Sequence, residues 1–361
     1  MRALKTFPRW KKEMRKKSIL LTLLSLTALA FGPPVLKEKD VGGLKFYPCQ
    51  IKSMVESTPP AIEARAFLLA DYTTGTILLA RNEHEKLPPA SLTKVMTAIL
   101  ALENSSLSDV VTVSERAAAA ELPKLGLLPG QKVSMEDLIY GLLLLSANDA
   151  ATAIAEHVAG TQEAFVEMMN RKATELGMKG THFANPQGFD EETHLSTAYD
   201  LWLLARYALS NPIFARVVAT REWKGLSSTN RFLTLYPGAD GIKTGTTPLA
   251  GECLVASATR GEQKGLVILL NSPDRYGEAA SLLDYYFRNY TLVPLSNPDL
   301  DLIKNQSGEV ISLKVEGENS ILVERWKSLL LRFYRKLSLD ELVVYFGDRA
   351  IFSRPLKRGE N

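Results

Sequence analysis

Apolar and polar positions follow two different periods along this chain, and the change of period divides it. Short apolar runs at 66–71 and 76–80 bracket Tyr72-Thr-Thr-Gly75, a spacing that predicts a β-hairpin. From 91 to 103 the chain carries helix formers without Gly or Pro behind a leading serine, which predicts a helix there. The central part keeps that texture. Ser134-Met-Glu-Asp137 has the form of a capping box before the apolar stretch 138–145; 150–158 and 162–176 read as further helices, the last closed by Gly177. Strand texture returns at 251–259 and 265–270, on either side of Arg260-Gly-Glu-Gln263, and a final helix is expected over 278–287. Strands at both ends with helices between them predict an α+β domain over 61–290, one mixed sheet flanked by a helical region.

After about residue 291 the texture changes. Pro294, Asn297-Pro298 and Asn305 punctuate the chain, 309–316 alternates in strand fashion, and 321–324 and 342–346 add strand candidates. Residues 291–361 are therefore expected to form a small separate β domain of roughly 70 residues, within the usual domain range. The stretch 326–337, with Lys327, Arg332, Arg335 and Lys336, reads either as two strands or as a basic amphipathic segment that touches a membrane. At the other end, residues 1–30 set eight basic side chains against Glu13 alone and run into the apolar stretch 19–31 through Ala28-Leu29-Ala30. Charge, short apolar run and small-residue exit predict a secretory signal peptide, cleaved near Phe31. The run is shorter than the ~20 residues of a membrane-spanning helix; an uncleaved N-terminal anchor is the competing reading. Residues 31–60, broken by Pro33-Pro34 and Pro59-Pro60, are a lead-in segment.

With 361 residues, 46 % apolar and 23 % charged, the chain can bury a sizeable core in two domains. The formal net charge of +3 comes from the N-terminal stretch, so the body is mildly acidic and gives no reason to expect nucleic-acid binding. Two cysteines, Cys49 and Cys253, exclude a disulfide-rich scaffold. Export would permit a bridge between them, but two unpaired, mostly buried thiols are the expectation. No Cys/His spacing suggests a zinc site, and no cofactor is expected.

Three short motifs carry chemistry. In Pro89-Ala-Ser-Leu-Thr-Lys94, a helical first turn puts Ser91 and Lys94 on one side, where a neutral amine could take the hydroxyl proton. The helix N-terminus adds a positive dipole end near the reacting oxygen. Taken alone, such a pair is more readily a solvated helix face. Leu145-Ser-Ala-Asn148 closes an apolar helix, either as a C-cap supplied by the Asn or as polar groups held for function. In Asp240-Gly-Ile-Lys-Thr-Gly-Thr246, Gly245 would admit a substrate backbone to a strand edge, while Lys243 and Thr244 would offer charge and hydroxyl to a carboxylate; an ordinary turn with a solvated lysine is the other reading.

Ser-x-x-Lys, Ser-x-Asn and Lys-Thr-Gly in that order resemble the trio of the penicillin-binding proteins and serine β-lactamases. The flanks resemble the low-molecular-weight serine-type D-alanyl-D-alanine carboxypeptidases: Pro89-Ala-Ser-Leu-Thr-Lys-Val-Met-Thr-Ala98, 133–151, Thr181-His-Phe-Ala-Asn-Pro-Gln-Gly-Phe-Asp190, Ser196-Thr-Ala-Tyr-Asp-Leu201 and 241–260, together about 66–287. The resemblance implies a serine β-lactamase/penicillin-binding-like domain followed by a small β domain. Its implied activity is removal of the terminal D-Ala from peptidoglycan stem pentapeptides, through an acyl-enzyme on Ser91 with Lys94 as general base. Ser146 would join the proton relay, Asn148 would hold the substrate backbone, and Lys243, Thr244 and Gly245 would line the substrate edge. The N–H groups of Ser91 and Thr246 would form an oxyanion hole. Arg275, in Asp274-Arg-Tyr-Gly-Glu-Ala279, matches the family's arginine for the terminal carboxylate, a planar bidentate task that suits guanidinium. Implied partners are stem peptides ending in D-Ala-D-Ala and β-lactams as covalent inhibitors, at the extracytoplasmic face of the membrane or in the periplasm, with peripheral or N-terminal membrane attachment left open.

The end of the chain follows the family less well. Leu342-Val-Val-Tyr-Phe-Gly-Asp-Arg-Ala-Ile-Phe352 resembles the close of its β domain, but 326–337 does not, and no amphipathic anchoring helix follows before Asn361. A D,D-endopeptidase cutting cross-links is the runner-up activity, and an idle wall-binding module that kept the fold is the alternative outside catalysis. A class A β-lactamase fits less well, since no Glu-x-x-Leu-Asn follows Ser-Ala-Asn. His84, His157, His182 and His194 fall in no nucleophile or metal pattern, and structural hydrogen bonds are expected of the last two.

Overall fold

The computed structural model describes residues 58–295 together with 302–304, 310–315, 320–325, 331–336, 341–346 and 349–358. The expected signal segment, most of the lead-in and Cys49 lie outside the described residues. Contacts divide the chain into two units, Ser57–Arg288 and one that includes Asn289–Asn361.

Five strands build the sheet of the first unit: β1 (Ala66–Asp71), β2 (Ile77–Arg81), β3 (Ala239–Thr247), β4 (Gly251–Arg260) and β5 (Gln263–Leu270). Their spatial order is β2-β1-β5-β4-β3. Helices and sheet together give the α+β class that the sequence pattern predicts, and within this sheet each of the four pairings is antiparallel. In three of the pairings the connection is the reason: short turns join β1 to β2, β3 to β4 and β4 to β5, and such turns can only reverse the strand direction. β3, unmarked by strand texture in the sequence, is an edge strand, and it carries the Lys-Thr-Gly motif.

Both faces of the sheet are covered. Ala66, Leu68 and Ala70 of β1 and Leu266, Ile268 and Leu270 of β5 join the core shared with the helices. On the other face of β5, a side chain at Gly265 would run into Leu283 and Tyr286. Burial on two faces explains why these strands read as continuous apolar runs.

The helical region comprises α1 (Lys94–Asn104), α2 (Met135–Leu144), α3 (Asn148–Ala159), α4 (Gln162–Glu175) and α5 (Ala198–Leu209). α1 packs against α2, α3, α4 and α5, and is buried along most of its length. The caps follow from the sequence: Ser134 accepts the Asp137 N–H at 3.1 Å, Thr161 that of Ala164, and Thr197 that of Asp200. Gly177 ends α4's turn at φ +76°. The last helix, α6 (Arg275–Asn289), begins three residues ahead of the expected start. Asp274 accounts for this, accepting the Gly277 N–H at 3.0 Å.

In the second unit, β6 (Tyr290–Pro294) pairs with Ser320–Glu324, and Leu302–Lys304, Val310–Val315, Leu331–Lys336, Glu341–Phe346 and Arg349–Arg358 form a five-stranded antiparallel sheet. Leu331–Lys336, for which a membrane-touching segment was the other reading, is thus a strand paired with Glu341–Phe346.

Candidate active site

Ser91 sits in a 3-10 turn, Ala90–Thr93, that leads directly into α1 at Lys94. Lys94 is wholly buried, and its Nζ lies 2.9 Å from Ser91 Oγ. It also donates to Asn148 Oδ1 at 2.8 Å and to Gln187 O at 2.6 Å. Burial pushes the Lys94 amine well below the usual lysine range, and the nearby Lys243 cation adds to this. A neutral amine has two hydrogens and one lone pair. With the hydrogens on Asn148 and Gln187, the lone pair faces the Ser91 hydroxyl, the arrangement that proton abstraction requires.

Ser146 and Asn148 occupy the junction between α2 and α3. Ser146, not Asn148, takes the left-handed position at the end of α2, with φ +62°. Such a conformation costs a residue with a Cβ on the order of 1 kcal/mol or more and clusters at functional sites. Among the described residues the Ser146 hydroxyl has no hydrogen-bond partner, so the structure does not join it to Lys94 or Ser91. Asn148 has the opposite character. Its Nδ2 donates to Glu121 O and Leu122 O, both at 3.1 Å, while Oδ1 takes Lys94. The carboxamide that the family resemblance aims at substrate is therefore engaged by the protein, and a substrate carbonyl would have to displace Glu121 O or Leu122 O. Asp149 fixes the same segment by accepting the N–H groups of Leu125, Gly126 and Leu127 at 2.9–3.1 Å.

The facing wall is β3. Lys243 is 1 % exposed, which excludes the solvated turn lysine; its Nζ donates to Thr244 O at 2.9 Å. Burial, then repulsion from Arg275, lowers its pKa to about 7. Gly245 runs against the nucleophile turn so closely that a Cβ there would stand 3.1 Å from Ser91 N and 3.0 Å from Ala90 Cβ. Arg275, at the start of α6, donates from Nη1 to Gly245 O at 3.0 Å and Thr246 Oγ1 at 2.8 Å, and its Nε lies 3.6 Å from Glu252 Oε2. The guanidinium is thus brought to the edge strand that carries Gly245 and Thr246.

Sequence reasoning missed Gln187 and Gly188. Gln187 acts through its backbone carbonyl, which no side-chain pattern announces, and its side chain is locked by Thr152 Oγ1 at 2.7 Å and Gln162 Oε1 at 2.9 Å. Gly188, at φ +90°, closes over Ala90. His194 makes the buried structural hydrogen bonds expected of it, to Thr93 and Ala184. Among the described residues no group of three or more His, Cys, Asp or Glu side chains could hold a metal ion.

Residues 53–274 match peptidase S11, the D-alanyl-D-alanine carboxypeptidase family. The chain belongs to that family. Its relatives include the D-alanyl-D-alanine carboxypeptidase DacF of Bacillus subtilis, 33 % identical over 337 residues that cover 87 % of this chain and 83 % of the relative. DacC of Escherichia coli is 37 % identical over 326 residues, covering 83 % and 79 %. Among solved structures, penicillin binding protein 6B from Escherichia coli aligns with TM-score 0.73 at 31 % identity, over 84 % of this chain and 98 % of its own. In this D-alanyl-D-alanine carboxypeptidase family member, Lys94 joins Ser91 to Asn148, and Gly245 of β3 lies against the Ala90–Ser91 turn.

Proposed function

We propose that this protein is a serine-type D-Ala-D-Ala carboxypeptidase that removes the terminal D-Ala from peptidoglycan stem pentapeptides. The observation that carries the reading is the Lys94 amine, buried, lowered in pKa and 2.9 Å from the Ser91 hydroxyl. Ser91 Oγ attacks the carbonyl of the penultimate D-Ala as Lys94 takes its proton. The oxyanion is met by the N–H groups of Ser91 and Thr246. Collapse expels D-Ala, its nitrogen receiving a proton through Lys94 with Ser146 as the relay hydroxyl, and leaves an ester on Ser91 that water then hydrolyses. Arg275 and Thr246 receive the terminal carboxylate at the β3 edge, with Lys243, Thr244 and Gly245 lining it. Asn148 contacts the peptide only after exchanging one of its carbonyl partners. The same ester forms with a β-lactam ring, which makes those compounds covalent inhibitors.

The basic, apolar N-terminus supports export to the extracytoplasmic side, where the substrate resides, by a cleaved signal peptide. Among the described residues no helix is long and apolar enough to cross a membrane. Mass spectrometry of digests tests the activity. Loss of one D-Ala from a pentapeptide is the expected result, and cutting of cross-linked dimers without that loss would establish the endopeptidase instead.

A further inference from the structure

Behind the nucleophile turn lies an imidazole that the steps above do not use. His194 is fully buried, and its Nδ1 accepts the Ala184 N–H at 2.9 Å. In the neutral ring the one proton then sits on Nε2, which faces Thr93 Oγ1 at 2.8 Å. With that oxygen accepting from the ring, the hydroxyl hydrogen of Thr93 goes to Ala90 O, also at 2.8 Å. The direction of the chain is fixed: His194 to Thr93 to the Ala90 carbonyl. The ring stays neutral because burial, then the neighbouring His182, lowers its pKa to about 4; Asp190 opposes this and Lys94 adds to it.

Ala90 needs to be held. Its φ of +49° is a left-handed conformation that residues with a Cβ rarely adopt. Gly188 also closes over its carbonyl, where a Cβ would stand 2.0 Å from Ala90 O. The Ala90–Ser91 peptide is planar and trans, so its C=O and N–H point in opposite directions. Whatever fixes the Ala90 oxygen therefore aims the Ser91 N–H, and a hydrogen bond weakens steeply once its donor is turned away from the acceptor.

We propose that His194, acting through Thr93, is a positioning residue that sets the Ala90–Ser91 peptide plane and so aims the Ser91 N–H at the oxygen that becomes negative during acylation. This rests on the reading of Ser91 as nucleophile and oxyanion donor. Neither His194 nor Thr93 touches substrate; both act on a backbone donor that does.

The test compares Thr93→Val, which keeps the shape and loses the hydroxyl, with Thr93→Ser, which keeps the hydroxyl, and with His194→Leu alone and combined with Thr93→Val. Thermal unfolding establishes that each is folded. The readouts are kcat and KM on a peptide ending in D-Ala-D-Ala, and affinity for a peptide boronic acid, whose tetrahedral adduct on Ser91 carries the oxyanion. Thr93→Val is expected to lose about 10²-fold in kcat, the scale of one oxyanion donor, with boronate affinity falling in parallel. KM stays within about threefold, because the donor acts in the transition state. Thr93→Ser regains most of the loss. His194→Leu loses about tenfold, as supporting partners commonly do, and carries the same comparison if Thr93→Val does not fold. The double variant is no worse than Thr93→Val, since the two are links in series. Wild-type kcat in Thr93→Val, equal impairment in Thr93→Ser, a loss confined to KM, or unchanged boronate affinity would each overturn the proposal. Peptide mapping of the penicillin-labelled wild type separates the two levels: a label away from Ser91 overturns the nucleophile reading and this with it, whereas a label on Ser91 leaves those four outcomes to bear on the positioning role alone.

Discussion

Lys94 Nζ lies 2.9 Å from Ser91 Oγ, with its other contacts taken by Asn148 Oδ1 and Gln187 O. The pair acts as a unit, and its loss is not additive. Ser91→Ala is expected to abolish covalent penicillin labelling with unfolding temperature near wild type, and Lys94→Ala to slow acylation by about 10²–10⁴-fold. Labelling of Ser91→Ala at the wild-type level would sink the site assignment.

The pH dependence follows from the Lys94 environment. Only the neutral amine can accept a proton, so acylation rises with pH through the lowered Lys94 pKa and levels off well below 10.5. Lys243→Ala removes a neighbouring cation, which lets the Lys94 pKa rise and moves the ascending limb to higher pH. Penicillin acylation rates over a pH series check this, and an unmoved limb would assign the titration to another group.

Arg275 bridges Gly245 O and Thr246 Oγ1 at the strand edge. Arg275→Ala should cost about 1.5–3 kcal/mol in kcat/KM on peptides, the worth of one charged hydrogen bond. Converting the substrate's C-terminus to an amide should reproduce much of that loss in the wild type and add little in the variant. Equal amide sensitivity in both would pass the carboxylate to Lys243 or Thr244.

Deacylation of the penicilloyl-enzyme should be slow. The stretch 179–188 holds no acid, and the nearest one beyond it, Asp190, is engaged by Thr247 Oγ1 at 2.6 Å and Leu249 N at 3.1 Å. With a peptide, D-Ala departs and water enters its place; with penicillin the leaving nitrogen stays tethered there. Intact-mass spectra over time should show the adduct on Ser91 outlasting the peptidyl-enzyme by orders of magnitude. Return of free enzyme within seconds would reveal a deacylating base among these residues.

Most local elements and the side chains that could carry chemistry are legible in the residue pattern, β3 being the exception among the strands. Hairpin, helices and late strands are written in periodicity and caps, because those depend on neighbours a few residues away. Ser91 and Lys94 are legible for the same reason, being one turn apart. The remainder was settled by packing in three dimensions. It placed Lys-Thr-Gly in an edge strand, paired the sheet antiparallel throughout, and left the Ser146 hydroxyl without a partner among the described residues while engaging Asn148 with Glu121 O and Leu122 O. It also recruited Gln187 O and Gly188, which act through a carbonyl and through the absence of a side chain. Such contributions depend on which backbone segments are brought together across some ninety residues of chain, as in Lys94 and Gln187, and a backbone carbonyl is the same atom in every residue.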